Sequence, residues 1–290
     1  MSHRETGMTY REVSPPAALA DVIECFWRRE RWRPPNHNLG VLPDGRVDVI
    51  WTSEGQVLVM GPQSRSLGRP ASSHVVVVGV RFPPAVGPAV LGVPACELAN
   101  LHLPLDAIDA RPAVSLLRDL LRIENDAAAP AGIAQALLRR MDSARPPDLA
   151  VRRAATFLEN PTARVRRVAD ALGLSERQLQ RRFREAVGYG PKTLQRILRF
   201  QRLLTAIQSG RERAGGLARI APTIGYADQA HLTRDTRAFS GLSPVQLEWT
   251  LSALQDEQAT GIFKTGAQRT RCRPLPVFRR TEPRAGGLGY

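Results

Sequence analysis

One pattern occurs twice in the second half of this chain, about 52 residues apart, and that duplication limits the region to a pair of like helical units. The first copy is VRRVADALGLSERQLQRRFREAVGYGP at 165–191, and the second is LARIAPTIGYADQAHLTRDTRAFSGLSP at 217–244. Val165, Val168, Ala169, Leu172 and Gly173 correspond to Leu217, Ile220, Ala221, Ile224 and Gly225. After one extra residue in the second turn, Leu179, Arg181, Arg184, Gly188 and Pro191 correspond to Leu232, Arg234, Arg237, Gly241 and Pro244.

Each copy reads as helix, tight turn, helix. Val165, Val168 and Leu172 share one helical face, and small Ala169 lets a neighbour approach closely. Gly173 ends that helix, because a glycine takes positive φ without a Cβ penalty. Ser175 starts the next helix, with Gln178 three residues on to complete a capping box. Leu179 and Phe183 point to the core, which leaves Glu176, Arg177, Gln180, Arg181 and Arg184 on the outer face. In the second copy Gly225 turns the chain, Asp228 places an anion at the helix start, and Gln229, His231, Thr233 and Arg234 are read as outward-facing. Arg and Gln are the side chains that bond guanine and adenine edges bidentately in the major groove. Between the copies a long amphipathic helix beginning near Pro191 has an apolar face of Leu194, Ile197, Leu198, Leu204 and Ile207, and a basic face of Arg196, Arg199 and Arg202.

Charge follows the same division. Residues 1–150 hold 16 basic and 16 acidic side chains, residues 151–250 hold 18 and 8, and residues 251–290 hold 7 and 3. A neutral first half followed by a 151–250 segment at +10 has the electrostatic footprint of a polyanion binder.

The first half reads as mainly β to about residue 105. VLPDGRVDVIW at 41–51 sets an Asp44-Gly45 turn before Val47, Val49 and Trp51, the alternation of a half-buried strand. Strands at 57–60 and 75–82 follow, the latter apolar enough to be covered on both faces. Helical spacing takes over at 112–123 and 130–141, and Arg145-Pro146-Pro147-Asp148 marks the domain boundary. Trp27, Trp32, Trp51 and Phe82 are read first as core aromatics, with the lining of an apolar ligand pocket as the alternative.

GLSERQLQRRFREAVGYGP, RILRFQR at 196–202 and GYADQAHLTRDTRAFSGLSP together resemble the AraC/XylS-type transcriptional regulators over about 100 residues, 148–248. The resemblance implies an α+β chain of two domains. A β-rich, cupin-like barrel at 1–145, with trailing helices, would sense or dimerise. An all-α domain at 148–250 would carry two helix-turn-helix units joined by a long helix, and 251–290 would be a basic, disordered tail. LPDG at 42–45, GVRF at 79–82 and LGVPACEL at 91–98 carry the likeness of the first domain. The implied partner is double-stranded DNA read through two successive major grooves, with a small-molecule effector, RNA polymerase and a second copy of the chain as further partners. The implied DNA-binding set is Ser175, Glu176, Arg177, Gln180, Arg181, Arg184, Gln229, His231, Thr233 and Arg234. Arg177, Gln180 and Arg181 take the base-facing positions of one head, and Gln229, Thr233 and Arg234 those of the other. Three departures point to a weaker second head. Thr236 and Ser240 stand where the family places aromatics, Pro222 falls within its first helix, and Gly215-Gly216 loosens that helix's start.

An enzyme is the rival reading. The five histidines have no metal-ligand spacing, no GxSxG, HExxH, P-loop or GxGxxG pattern occurs, and Asp44 and Asp48 read as turn and strand chemistry. Cys25, Cys96 and Cys272 form no CxxC pair. No enzyme activity, cofactor or metal is therefore expected. MSHRETGMTYREVS contains no secretory apolar run, and Phe82–Cys96 is too short and too rich in proline to span a membrane, so the cytoplasm is the expected location. A pure interaction module is the third class, and salt separates it from a DNA binder. The log of affinity for duplex DNA is expected to fall linearly with log salt, by about 0.9 per phosphate contact. A titration of labelled duplex at several salt concentrations checks this, and a flat response defeats the DNA-binding reading.

Overall fold

Among the described residues, β-branched and aromatic runs in the first half build one antiparallel sheet of six strands: β1 (Thr9–Val13), β2 (Cys25–Glu30), β3 (Val47–Thr52), β4 (Val57–Met60), β5 (Val77–Phe82) and β6 (His102–Pro104). The strand order is β1-β2-β5-β3-β4-β6. The structure, a computed structural model, describes residues 9–30, 39–68, 76–141, 145–210 and 216–256. Among these residues the expected barrel takes the form of a single sheet with β1 and β6 at its edges.

β3 lies between β5 and β4, and all six of its residues are buried, rather than the alternate three that the sequence pattern suggests. On one face Val47, Val49 and Trp51 join Phe26, Val78, Val80 and Phe82. Helices α3 (Arg111–Leu120) and α4 (Ala129–Met141) cover that face with Leu116, Leu120, Ile133 and Leu137. On the other face Ile50 meets Cys25, Trp27 and Val77, and Tyr10 stacks on Trp27 with ring centroids 6.2 Å apart. Trp27 and Trp51 thus lie on opposite faces, so the aromatics do not gather around one pocket; Trp32 lies outside the described residues. Burial raises the Cys25 thiol, which stays protonated. Two short helices, α1 (Gly87–Leu91) and α2 (Ala95–Leu98), occupy the proline-rich stretch after β5.

Asp48 and Arg81 face each other across β3 and β5, bonded at 3.1 and 2.9 Å. Burial raises the Asp48 carboxyl, and the Arg81 guanidinium opposes that rise.

Beyond Pro147 the described residues form helices: α5 (Leu149–Leu158), α6 (Val165–Ala171), α7 (Glu176–Val187), α8 (Pro191–Gln208), α9 (Gly216–Ile220), α10 (Gln229–Ser240) and α11 (Pro244–Asp256). Asp148 caps α5, accepting from the amides of Ala150 and Val151 at 3.0 and 3.2 Å. α11 continues six residues past the expected tail boundary at 250, and 257–290 lie outside the described residues.

Two clusters fill this half. Val151, Leu158, Val165, Val168, Leu179, Phe183, Val187 and Leu194 form the first. Ile197, Phe200, Leu203, Leu204, Ile207, Tyr226, Leu232, Phe239, Leu247 and Leu251 form the second. Packing crosses the boundary at Pro147, since Ala85 joins the first cluster, and Leu39 and Leu42 join the second.

The second core is not thinned by Thr236. That residue is fully buried and its hydroxyl donates to the Leu232 carbonyl at 2.8 Å, while Phe239, one turn on, supplies the aromatic bulk against Phe200 at 5.4 Å. Phe239→Ala is expected to cost about 3–5 kcal/mol in chemical denaturation. Thr236→Phe, which installs the family's aromatic, is expected to destabilise by about 1–3 kcal/mol, because the space is already occupied.

Candidate nucleic-acid interface

The two helix-turn-helix units are built by the same local rules. Gly173 and Gly225 take φ of +66° and +96° in the turns, values that favour glycine. The Ser175 hydroxyl accepts from the Gln178 amide at 3.2 Å while the Gln178 side chain accepts from the Ser175 amide at 2.8 Å, so the capping box forms in full. Asp228 does the same work for α10, accepting from the His231 amide at 2.6 Å.

Leu179, Phe183 and Val187 bury one side of α7. At about 100° per residue, Arg177, Arg181 and Arg184 fall within about 60° of arc on the opposite side. All three are exposed. Glu176 is exposed in the first turn. Gln180 sits on the flank with its amide against Gly190, where an added Cβ would stand 2.3 Å from Nε2. In α10 the corresponding arc holds Ala230, Arg234 and Arg237, all exposed. The first helix therefore presents three guanidinium groups and the second presents two. Gln229 is exposed and Thr233 is half-buried on the flank. His231 turns away from the arc; its ring meets Tyr226 edge-on at 5.1 Å and its Nε2 lies 3.7 Å from an Asp235 oxygen. Burial first, and the Asp235 carboxylate second, raise the Tyr226 phenol, which stays neutral.

The expected basic face of the bridging helix is an internal tie. Arg196 donates to Asp235 at 3.0 and 2.7 Å and lies over the Phe239 ring at 5.1 Å. Arg199 lies over Tyr226 at 5.7 Å, and Arg202 donates to the Glu159 carbonyl. Long arginine stems pack on apolar surface while their heads find acceptors, and charge alternation along a sequence does not distinguish that from a solvated face. In the first unit the matching position, Arg182, pairs with Asp148 at 3.5 Å. Pro222 lies just beyond α9 rather than within it, and α9 has five residues where α6 has seven. Loss of the proline's amide donor explains the early stop. Gly215 lies outside the described residues.

Arg237 and the exposed group Arg164, Arg166 and Arg167 at the start of α6 were missing from the sequence-derived set. The signal for them was the RVRR run and the match of Arg237 to Arg184. Among the described residues no helix is long and apolar enough to cross a membrane.

Residues 168–248 match the family described as Helix-turn-helix domain, and residues 11–104 match a domain of unknown function, DUF6597. No curated protein matches the chain. Among solved structures it is similar to ToxT from Vibrio cholerae O395, at 11% identity and a TM-score of 0.41, covering 86% of this chain and 99% of that one. An unsaturated fatty acid-bound ToxT from Vibrio cholerae strain SCE256 is similar at 9% identity and a TM-score of 0.36, covering 86% and 97%.

Arg196→Ala would leave the Asp235 carboxylate, only 4% exposed, without its guanidinium partner. A loss of about 1–3 kcal/mol is expected in chemical denaturation. A stability equal to the parent's would mean that the tie contributes nothing.

Proposed function

We propose that this AraC-type helix-turn-helix regulator grips duplex DNA with both heads, α7 and α10 lying in successive major grooves. The observation that carries the reading is the repeated arc of exposed arginines, Arg177, Arg181 and Arg184 in one head and Arg234 and Arg237 in the other, each on the side of its helix away from the buried face. A bridging helix of 18 residues spans about 27 Å at 1.5 Å per residue. That length suits heads placed about one DNA turn, roughly 34–36 Å, apart. Arg181 and Arg234 meet base edges from the middle turns of their helices, with Arg177 beside the first. Gln180 and Thr233 flank them, while Ser175 and Gln229 lie at the helix starts, where amides and small polar groups meet the backbone, and the Glu176 carboxylate beside Ser175 suits a cytosine amino group rather than a phosphate. Arg184, Arg237, Arg164, Arg166 and Arg167 supply phosphate contacts. His231 acts behind the surface, through Asp235 and Tyr226. The chain works by binding and not by catalysis, on duplex DNA in the cytoplasm. Its N-terminal sheet domain answers to a small-molecule effector or to a second copy of the chain, and RNA polymerase is the downstream partner.

Selection of bound sequences from random duplex DNA tests the reading directly. On the selected site, Arg181→Ala is expected to cost about 1–3 kcal/mol and to relax preference at one position. Arg234→Ala is expected to cost less, because its arc carries one fewer cation. Arg152→Ala, outside both reading helices, is the control and should affect all sequences alike. No loss at either Arg181 or Arg234, in variants whose fold is verified by circular dichroism, would overturn the assignment.

A further inference from the structure

The sheet domain does more than sit ahead of the two heads; one of its loops reaches into their cores. Leu39 and Leu42, each 5% exposed, belong to the same buried cluster as Ile197, Phe200, Leu232 and Phe239. Between that cluster and the first, the loop turns at Gly45, where φ is +84°. A Cβ there would stand 2.8 Å from Leu194 Cδ1, in the first core, and 3.5 Å from the Tyr189 hydroxyl. The Gln201 amide of α8 donates to the Pro43 carbonyl. Next to the loop, Val41 and Leu67 bond to each other at 2.8 and 3.2 Å, and the Ser66 amide donates at 2.7 Å to the Phe239 carbonyl near the end of α10. That carbonyl is one of the last-turn acceptors without a partner inside its own helix.

The loop is held rigidly from behind. The Asp44 carboxylate accepts from the Arg46 amide at 3.0 Å, and the Arg46 guanidinium donates to the Asp44 carbonyl and to Glu24, both at 2.8 Å. Arg81 links Asp44, at 3.8 Å, to the buried Asp48 of β3. A stiff charged ladder thus carries the loop from the centre of the sheet to the joint between the heads. From there it touches α8 on both sides of the joint, and its neighbour at Ser66 holds the end of α10. The loop gives the first core no leucine; the sheet domain meets that unit through Ala85 in its described core and through α1 and α2, which pack on α7.

We infer that the Leu39–Gly45 loop is a positioning element of DNA readout, setting the second reading head against the first and making the N-terminal domain a determinant of half-site spacing. The inference rests on the two-head reading above. Leu42 and its neighbours touch no DNA in it; they act through α8 and α10. Tilting α10, or bending α8 at the joint, requires the loop to move, and the ladder opposes that movement.

The test selects bound duplexes from a random pool with full-length wild-type protein, Leu42→Ala and Gln201→Ala, and compares the spacing between the two motifs. Wild type is expected to give two motifs at one spacing. Leu42→Ala is expected to give the same two motifs over several spacings, and Leu42→Met to restore the single one. Affinity of Leu42→Ala for the wild-type site is expected to fall about 3- to 30-fold, with affinity for the first motif alone unchanged. Gln201→Ala removes only the tether to Pro43 and keeps both cores, so it broadens the spacing even where Leu42→Ala fails to fold. Two motifs at one unaltered spacing in Gln201→Ala, and in Leu42→Ala if it folds, overturn the inference alone. A single motif from wild type overturns the two-head reading as well.

Discussion

α8 is a wall common to two cores, and the arrangement of the C-terminal half depends on that sharing. Leu194 closes the cluster beneath α7, while Ile197, Phe200, Leu203, Leu204 and Ile207 close the cluster beneath α10. Two units built on separate helices would be free to turn about a linker. Two units built on one helix inherit its rigidity, because rotating either would strip apolar side chains from a close-packed interior. Gly190 and Pro191 start that helix directly after the first head's closing turn, so no flexible segment separates α7 from its wall. Each reading helix is then pinned by a charge pair at the same position of the repeat, Arg182 to Asp148 and Asp235 to Arg196.

Those pairs change the meaning of the net charge. The segment at +10 does not present all its cations to a partner. Arg196, Arg199 and Arg202 stack on rings or donate to a carboxylate and a carbonyl within the protein, which leaves the arcs of α7 and α10, the start of α6 and the scattered Arg153, Lys192 and Arg219 as the exposed cations among the described residues of that segment. Arginine suits both roles for one reason: its planar, weakly hydrated head bonds in a fork and stacks on aromatic faces. Sign and number in a sequence therefore locate the basic half of a chain, whereas only packing sorts its tying arginines from its contacting ones.

The repeat was legible because its signals are local. Helix faces, capping residues and turn glycines sit at fixed offsets, and every one from Val165 to Pro191 appears where the spacing placed it. β3, β4 and β5 were legible as apolar runs, although the burial of both faces of β3 depends on neighbours that no run reveals. β1, β2 and β6 were not separated from loop, because TYREV, CFWRRE and HLP are short and mix charge with apolar side chains. The second core was misjudged for a related reason. An aromatic moved from 236 to 239 still lies on the inward side of a 3.6-residue helix, so a position-by-position comparison counts as a loss what the fold treats as a shift of one turn. Leu39 and Leu42 gave no signal at all, since two leucines beside a turn have no periodicity and their buried partners, Ile197 to Leu251, lie in the other half of the chain.

That last blind spot bears on how the two domains communicate. A boundary drawn at Pro146-Pro147 separates the chain into a sheet and a helical half, yet the buried surfaces on either side are partly the same surface. Leu39 and Leu42 lie in the second core, and β3 and its charge ladder stand behind their loop. Coupling between sites is reciprocal in free energy: if seating the loop favours the head arrangement that fits DNA, DNA in that arrangement favours seating of the loop by the same factor. Any influence on the sheet that differs between the seated and unseated loop then reaches the heads without a separate relay. The side chains that carry it are Asp44, Arg46, Asp48 and Arg81 behind the loop and Leu42 at its tip.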